Sequence, residues 1–248
     1  SKPRSSDDFE RVVLSEPDSG RCWTQYMAYR VAETDAIGAR GVAERALKTI
    51  NYRKQNERLQ VWKALIRLEH EHGSETSLGK VVDRACAAND PQVILVYLAD
   101  MHTRASEHKE AEAAFRRAQL KVKGSLSLDT WAKYARARLA AGDAASARTV
   151  LDRALQANAD NESTRIALQA RFAVAEFDLG NSERAKTIFD SLIKTLAVKR
   201  LDVWQLYIAK TLKTGDTEAV RAIYSRLAKA PLAARSMQTA LRRFLEFE

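Results

Sequence analysis

Apolar residues in this chain recur with the spacing of amphipathic helices. Within residues 131–155 they follow helical spacing, stop at Gly142 and then resume. They are Trp131, Tyr134, Ala135 and Leu139 before the glycine and Ala147, Val150, Leu151, Ala154 and Leu155 after it. This pattern predicts two amphipathic helices joined by one short turn. Because one hairpin cannot bury both apolar faces alone, we expect similar hairpins on either side of it.

The pattern returns along the chain when other segments are aligned on the position of Trp131, which we call the anchor. The anchors are Trp23, Trp62, Leu95, Trp131, Gln169, Trp204 and Leu241, at steps of 33 to 39 residues. Other positions are counted from the anchor, so that position +3 holds Tyr26, Leu65, Leu98, Tyr134, Phe172, Tyr207 and Phe244. These steps are close to the roughly 34-residue period of tetratricopeptide arrays.

Two further positions support the alignment. Glycine occupies position +11 in Gly73, Gly142, Gly180 and Gly215, as expected where a helix ends in a left-handed residue. Arginine occupies position +22 in Arg45, Arg84, Arg117, Arg153 and Arg226. The sequence therefore predicts an all-α fold, a right-handed helical-hairpin solenoid of about six full repeats with half-repeats at its ends.

The predicted organisation is a short linker followed by one array. Residues 1–6 are the linker, and residues 7–248 form the array, in which Asp7 or Asp8 caps the first helix. The repeats lie near 22–50, 59–88, 92–121, 128–157, 162–195 and 201–229, with a half-repeat at 234–248. A start at Ser1 on a Lys-Pro-Arg linker suggests a C-terminal piece of a larger protein.

The aromatic anchors have two interpretations, packing and stacking on nucleic-acid bases. Their fixed phase favours packing, and we interpret Trp23, Trp62, Trp131, Trp204, Tyr26, Tyr134, Phe172 and Tyr207 as structural anchors. The glutamates at position +7 and the arginines at +22 likewise favour structural pairs over ligand contacts. Repeat two has both residues, so the sequence predicts an ion pair between Glu69 and Arg84.

The charge of the chain indicates acidic partners. It has 41 Lys and Arg residues and 32 Asp and Glu residues, which give a net charge of +9. The turns within hairpins are mostly acidic, whereas the connectors between hairpins are mostly basic. The connector residues that could follow RNA phosphates are Lys48, Arg53, Lys54, Arg58, Lys121, Lys123, Lys194, Lys199, Arg200, Lys229 and Arg235. The alternative is that these are ordinary solvated loops.

Motifs of catalysis and cofactor binding are absent from the sequence. His70 and His72 flank Glu71 without zinc-protease spacing, and we interpret the histidines as packed or surface residues rather than metal ligands. We therefore expect no enzyme, no cofactor, no metal and no small-molecule substrate. Two cysteines in different repeats fit a reducing compartment, and the lack of a long apolar run or signal peptide predicts a soluble intracellular protein without a membrane partner.

The hairpin pattern W-x-x-Y-A followed by A-R-x-V-L-x-R-A-L resembles the half-a-TPR (HAT) repeat. The segments GVAERALKTINYR, FAVAEFDLGNSERAKTIFDSLI and RLDVWQLYIAKTLKTGD resemble the C-terminal domain of the ribosomal RNA-processing protein five family, also called programmed-cell-death-eleven. That resemblance implies a nuclear, nucleolar protein with upstream OB-fold RNA-binding domains. It also implies partners among small-subunit processome proteins, pre-rRNA and small nucleolar RNPs.

Three functions remain open from the sequence. The first is a non-catalytic scaffold that holds processome proteins and pre-rRNA for processing. The second is a direct, sequence-tolerant rRNA-binding module. The third is a HAT scaffold of mRNA splicing or 3′-end processing, which would self-associate.

Overall fold

The computed structural model describes residues 3–121 and 126–248, and these residues form α-helices without any strand. The chain divides into two compact units, residues 1–123 and 124–248, which we call the N-terminal and C-terminal units. The helices of the N-terminal unit are α1 (Ser6–Ser15), α2 (Gly20–Ala32), α3 (Ala36–Thr49), α4 (Gln55–His72), α5 (Glu75–Ala88), α6 (Pro91–Arg104) and α7 (His108–Lys121). Those of the C-terminal unit are α8 (Leu128–Ala140), α9 (Ala144–Ala157), α10 (Glu162–Asp178), α11 (Ser182–Thr195), α12 (Leu201–Lys213), α13 (Thr217–Leu227) and α14 (Ala234–Phe247).

These helices confirm the predicted fold class of an all-α helical-hairpin repeat solenoid. Consecutive helices pair as the two arms of repeats one to three in the N-terminal unit and of repeats four to six in the C-terminal unit. Helices α1 and α14 are single arms that pack on α2 and α13. Repeat three begins with α6, in which Asp90 is the N-cap and Pro91 is the first residue.

The turns of five hairpins in the described part of the chain use a left-handed residue, which is not always glycine. Position +11 has a positive φ in Thr34, Ser106, Gly142, Gly180 and Gly215, with values of 60°, 61°, 77°, 87° and 77°. Gly73 differs from the prediction, because its φ is −109°. Glycine is needed there for space instead, since a Cβ would lie 2.5 Å from the carbonyl oxygen of Glu69.

The first helix begins earlier than the sequence suggests. Ser5, rather than Asp7 or Asp8, is the N-cap of α1, and its hydroxyl accepts a hydrogen bond from the amide of Asp8. The Asp8 carboxylate accepts the amide of Ser5 in return and completes a capping box. The shorter serine side chain reaches the first turn while Asp8 supplies the reciprocal bond.

Stacked aromatic rings join neighbouring hairpins or single arms at three places in the described part of the chain. In the N-terminal unit, Phe9 of α1 stacks on Tyr26 of α2 with ring centroids 5.4 Å apart. In the C-terminal unit, Phe189 stacks on Tyr207 at 4.9 Å, and Tyr224 stacks on Phe244 at 4.7 Å. The C-terminal pairs join position +20 of one repeat to +3 of the next, and the burial of such rings is the main force that holds hairpins together.

Candidate functional site

The aromatic anchors lie inside the hairpins and are not exposed for base stacking. All eight are buried, namely Trp23, Trp62, Trp131, Trp204, Tyr26, Tyr134, Phe172 and Tyr207. Three indoles are covered by the arginine at position +22 of their own repeat. The guanidinium lies 5.6 Å from the ring centroid for Arg45 on Trp23, 5.3 Å for Arg84 on Trp62 and 6.0 Å for Arg226 on Trp204.

The same arginines bind carboxylates of the preceding helix pair. Arg45 donates two hydrogen bonds of 2.8 Å to Glu10 on α1. Arg84 donates two to Glu44 on α3, at 2.7 and 2.9 Å. Arg117 likewise pairs with Asp83, and Arg226 donates to Asp190 at 2.7 Å. These arginines therefore join neighbouring repeats and are already neutralised by carboxylates.

The predicted ion pair between Glu69 and Arg84 is wrong. In an antiparallel hairpin, the end of the second helix returns to the start of the first, which brings Arg84 over Trp62 rather than beside Glu69. Glu69 is only 4% exposed, and it accepts hydrogen bonds from Arg40 Nε at 2.6 Å and from Ser77 Oγ at 2.5 Å. Burial raises the pKa of Glu69, but the hydrogen bonds from Arg40 and Ser77 and the charge of Arg40 together outweigh it and lower that pKa.

A sequence signal for these contacts exists, but it is subtle. An acidic residue precedes arginine in the pairs Glu10-Arg11, Glu44-Arg45, Asp83-Arg84 and Asp152-Arg153. In Glu44-Arg45 and Asp83-Arg84, the acid at +21 binds the arginine of the next repeat while the arginine at +22 binds a carboxylate of the preceding one. A prediction that pairs only residues of the same hairpin misses these ion pairs, because they form between successive hairpins.

A group of basic residues lies at and beside the connector between α3 and α4. Lys48, Arg53 and Lys54 are exposed, and Arg58 is half-buried at the first turn of α4. Tyr52 is 69% exposed, and the Arg53 guanidinium lies 5.6 Å from its ring centroid. An exposed aromatic ring beside several cations can stack on a base while the cations contact phosphates.

Acidic side chains lie next to this connector. A surface depression beside Lys54 is lined by Glu16, Asp18 and Glu57. The Asp18 carboxylate accepts the amide of Asn51 at 2.8 Å, and Glu57 accepts the amide of Gly20 at the same distance. These two carboxylates therefore hold the connector in place, and they reduce the positive potential on that side.

The remaining basic candidates differ in whether a carboxylate neutralises them. Lys121, Lys194, Lys199, Lys229 and Arg235 are exposed or half-buried, whereas Lys123 lies outside the described residues. Arg200 makes a bidentate pair with Asp202 at 2.9 and 2.7 Å. The nearby carboxylate raises the pKa of Arg200 and offsets its charge. Within the C-terminal unit, Lys194 and Lys199 are the better candidates on their connector.

The structure also brings together side chains that the sequence left apart. Glu107 Oε2 lies 2.8 Å from His70 Nε2 and 2.6 Å from His102 Nδ1. Hydrogen bonds to these two histidines lower the pKa of the Glu107 carboxyl. The imidazole centroids are 5.2 Å apart, in an edge-to-face arrangement.

In the described part of the chain, no helix is long and apolar enough to span a bilayer.

Comparison with known proteins agrees with the repeat pattern. A tetratricopeptide repeat family model matches residues 128–171. The chain is 40% identical over 247 residues to the mouse and human proteins named Protein RRP5 homolog. It is 34% identical over 247 residues to rRNA biogenesis protein rrp5 of Schizosaccharomyces pombe. The chain belongs to the RRP5 family. The match covers 100% of the chain against the mammalian RRP5 proteins but only 13% of their length.

Solved structures similar to this RRP5-family chain are distant. One is the C-terminal part of a TPR repeat-containing protein from Cytophaga hutchinsonii, with 9% identity, a TM-score of 0.41 and coverage of 94% of this chain and 92% of that one. Another belongs to the APC/C hetero-tetramer Cut9-Hcn1, with 12% identity, a TM-score of 0.38 and coverage of 94% and 45%.

Proposed function

We propose that this chain is a non-catalytic scaffold of ribosome biogenesis that holds small-subunit processome proteins and pre-rRNA together during pre-rRNA processing. The observation that carries the proposal is the 40% identity to RRP5 homologues over 100% of the chain. Several relatives are named for rRNA biogenesis. A nucleolar location and small nucleolar RNP partners are part of the same proposal.

The internal chemistry of the repeats supports a scaffold. Four of the arginines at position +22, Arg45, Arg84, Arg117 and Arg226, pair with carboxylates that precede their own repeat, and the aromatic anchors are buried. Side chains that define the repeat are thus used for stacking hairpins, and the side chains left for partners lie on connectors and outer faces. Hairpin arrays offer extended surfaces of this kind to partner helices and segments.

Direct rRNA binding is a second candidate, favoured by the connector between α3 and α4. Tyr52 presents an exposed ring, and Arg53 and Lys54 are exposed cations beside it. This combination fits single-stranded RNA, in which a base stacks on the ring and neighbouring phosphates meet the cations.

Charge reversal on the connectors tests the RNA contact. We expect Arg53→Glu, Lys54→Glu, Arg58→Glu and Lys199→Glu together to weaken binding to a pre-rRNA fragment. Removing one cation from a phosphate lowers the salt slope by about 0.7 for single-stranded RNA, so removing four lowers it by about 3. Filter binding across a series of salt concentrations measures both affinity and slope.

A charge-matched control uses cations away from the connectors. Arg104→Glu, Lys109→Glu, Lys80→Glu and Lys213→Glu together change four exposed residues and are expected to alter RNA affinity much less. Equal weakening in both variants would contradict a connector-specific contact. Capture of processome proteins by the wild-type chain after nuclease treatment supports the scaffold, whereas capture that disappears with nuclease supports RNA binding alone.

A further inference from the structure

Three potential metal ligands converge beside the turn between α6 and α7. His70 comes from α4 of repeat two, His102 from α6 of repeat three, and Glu107 from the residue before α7. One donor atom from each, His70 Nε2, His102 Nδ1 and a Glu107 carboxylate oxygen, lies within 4.8 Å of the others. The three residues thus connect two successive hairpins of the N-terminal unit.

Glu107 departs from the repeat pattern at a position that normally caps a helix. The equivalent residues Asp35, Ser74, Asp143 and Asp216 accept an amide hydrogen bond from the first turn of the second helix. At this turn the left-handed Ser106, with φ of 61°, directs the chain back over α6, and the Glu107 amide donates to the His102 carbonyl at 2.9 Å. The long Glu107 side chain therefore reaches the two imidazoles.

His70 is a second departure, in a different repeat. Its position, +8, holds mostly apolar residues in the other hairpins, namely Val31, Thr103, Leu139, Phe177 and Leu212. The His70 side chain is only 18% exposed, so an imidazole occupies a place that is otherwise apolar. The two departures from the repeat pattern, His70 and Glu107, lie in different hairpins, and their side chains meet. The pattern of neither hairpin alone accounts for this contact.

The ion pair that ties repeat one to repeat two has no equivalent at this step. In the first step, Arg40 at position +17 binds Glu69 at position +7 of the next repeat. In the step from repeat two to repeat three, the equivalent residues are Gly79 and His102. Gly79 has no side chain that could bind His102; the Nδ1 of His102 instead hydrogen-bonds to Glu107, and its ring packs edge-to-face on His70.

We propose that His70 Nε2, His102 Nδ1 and one oxygen of Glu107 bind a divalent transition-metal ion, for which Zn²⁺ is the probe. Two imidazoles and one carboxylate are a donor set that zinc prefers, with bonds of about 2.0–2.2 Å. The ion takes the place of the two hydrogen-bonded protons, which pass to the other nitrogen of each ring, so that each imidazole offers the lone pair of the nitrogen that faces Glu107. The three donor atoms lie within 4.8 Å of one another, so the two imidazoles and the carboxylate rearrange around the ion to reach bonding distance, and water completes the tetrahedron.

The surroundings fit a site that opens to the surface. The cluster lies in a groove of about 580 Å³ whose lining includes Glu75 and Glu110. Arg117, which also lines this groove, is paired with Asp83. Glu107 is 41% exposed, so the ion can enter from solvent. The bound metal joins α4, α6 and the start of α7, and it takes the place of the ion pair that joins repeats one and two.

Metal titration of the 248-residue chain tests this site. After treatment with a chelator and dialysis, isothermal titration with Zn²⁺ is expected to show one equivalent bound, whereas Mg²⁺ shows none. His70→Gln and Glu107→Gln are expected to weaken Zn²⁺ binding at least about tenfold, because each removes a ligand. Excess Zn²⁺ is expected to raise the Tm of the wild type by about 5 °C.

The chain offers matched controls, since only four histidines are present. His72→Gln and His108→Gln remove the two imidazoles outside the cluster and should leave Zn²⁺ affinity unchanged. Absence of stoichiometric binding by the wild type, or equal weakening by control and cluster variants, overturns the proposal. Cobalt substitution gives a separate test in the folded wild type. Co²⁺ in a tetrahedral site produces intense visible bands, whereas the spectrum of aqueous Co²⁺ alone would count against the proposal.

Discussion

Repeats two and five have the same hairpin fold but different chemistry at their anchors. In repeat two, buried Trp62 is covered by Arg84, which also binds Glu44 of the preceding repeat. Repeat five has Gln169 at the anchor and Ser191 at position +22. It therefore lacks both the indole and the guanidinium that tie repeat two to its neighbour.

Repeat five has a different ion pair between helices and keeps its buried ring at position +3. Arg171 of α10 pairs with Asp129 of α8 at 3.0 Å, although both side chains are largely exposed. Phe172 remains buried. The difference shows that apolar burial at position +3 is common to both repeats, while the polar tie between hairpins can be moved or omitted.

Position +7 sharpens the same comparison. Glu69 and Glu176 are both buried, with 4% and 1% exposure. Glu69 is bound by Arg40 of the preceding repeat, whereas Glu176 accepts a hydrogen bond of 2.8 Å from Asn181 of its own repeat. A buried carboxylate requires a partner, but the partner can come from either side.

The largest expected effect is at the anchor. Trp62→Ala removes a buried indole and should lower the free energy of unfolding by about 3–5 kcal/mol, because it leaves a cavity and exposes Arg84. Gln169→Ala in repeat five should cost less than about 1 kcal/mol. Urea unfolding followed by circular dichroism measures both, and equal decreases would show that the two anchors do not differ as described.

An intermediate effect is expected at position +7. Arg40→Ala leaves the buried Glu69 carboxylate without its cation and should cost about 2 kcal/mol, less than a fully buried pair because Arg40 is one-third exposed. The matched control is Arg148→Ala, which removes the exposed +17 arginine before repeat five and should change stability by less than about 0.5 kcal/mol. Adding Glu69→Gln to Arg40→Ala should restore part of the stability, and no restoration would argue against an uncompensated charge.

The smallest expected effect concerns the ion pairs between the arginine at position +22 and a carboxylate that precedes its repeat. Repeat five lacks this ion pair because it has Ser191 at position +22. Hydrogen bonding to Arg45 lowers the pKa of Glu10 from 4.5 to about 2. Since the folded pKa lies below the unfolded one, this stabilisation is present above about pH 4.5 and is lost as the pH falls toward 2. Glu10→Gln should therefore flatten the dependence of Tm on pH in that window, by an amount typical of a partly exposed pair, about 1 kcal/mol or less. An unchanged slope between about pH 5 and 2 would contradict the assignment.

Much of the fold could be predicted because the residues that define each repeat lie close together in the sequence and recur at fixed positions. Anchors, position +3 and the left-handed turn at Gly142, Gly180 and Gly215 all follow from residues within one hairpin. The ion pairs could not be assigned in the same way. Arg84 has two acidic candidates, Glu69 within its own hairpin and Glu44 in the preceding one, and only the stacking of hairpins selects Glu44.

The candidate sites show the same division. Lys48, Arg53 and Lys54 could be recognised as exposed cations from their connector, and their connection to RNA remains a prediction. The neutralisation of Arg200 by Asp202 required coordinates, because the geometry of a bidentate pair depends on the local backbone. The meeting of His70 with Glu107 was not visible at all, since 37 residues separate them.

The amino-acid sequence by itself determined that this protein is a series of helical hairpins, because helix periodicity and turn chemistry act over a few residues. It also determined which positions face inward, since their spacing repeats with the hairpin. The tertiary structure alone decided how each hairpin binds the next and which polar groups converge. Those contacts depend on the distance and rotation between stacked helices, and several residues of suitable charge compete for each partner until packing places one of them within hydrogen-bond reach.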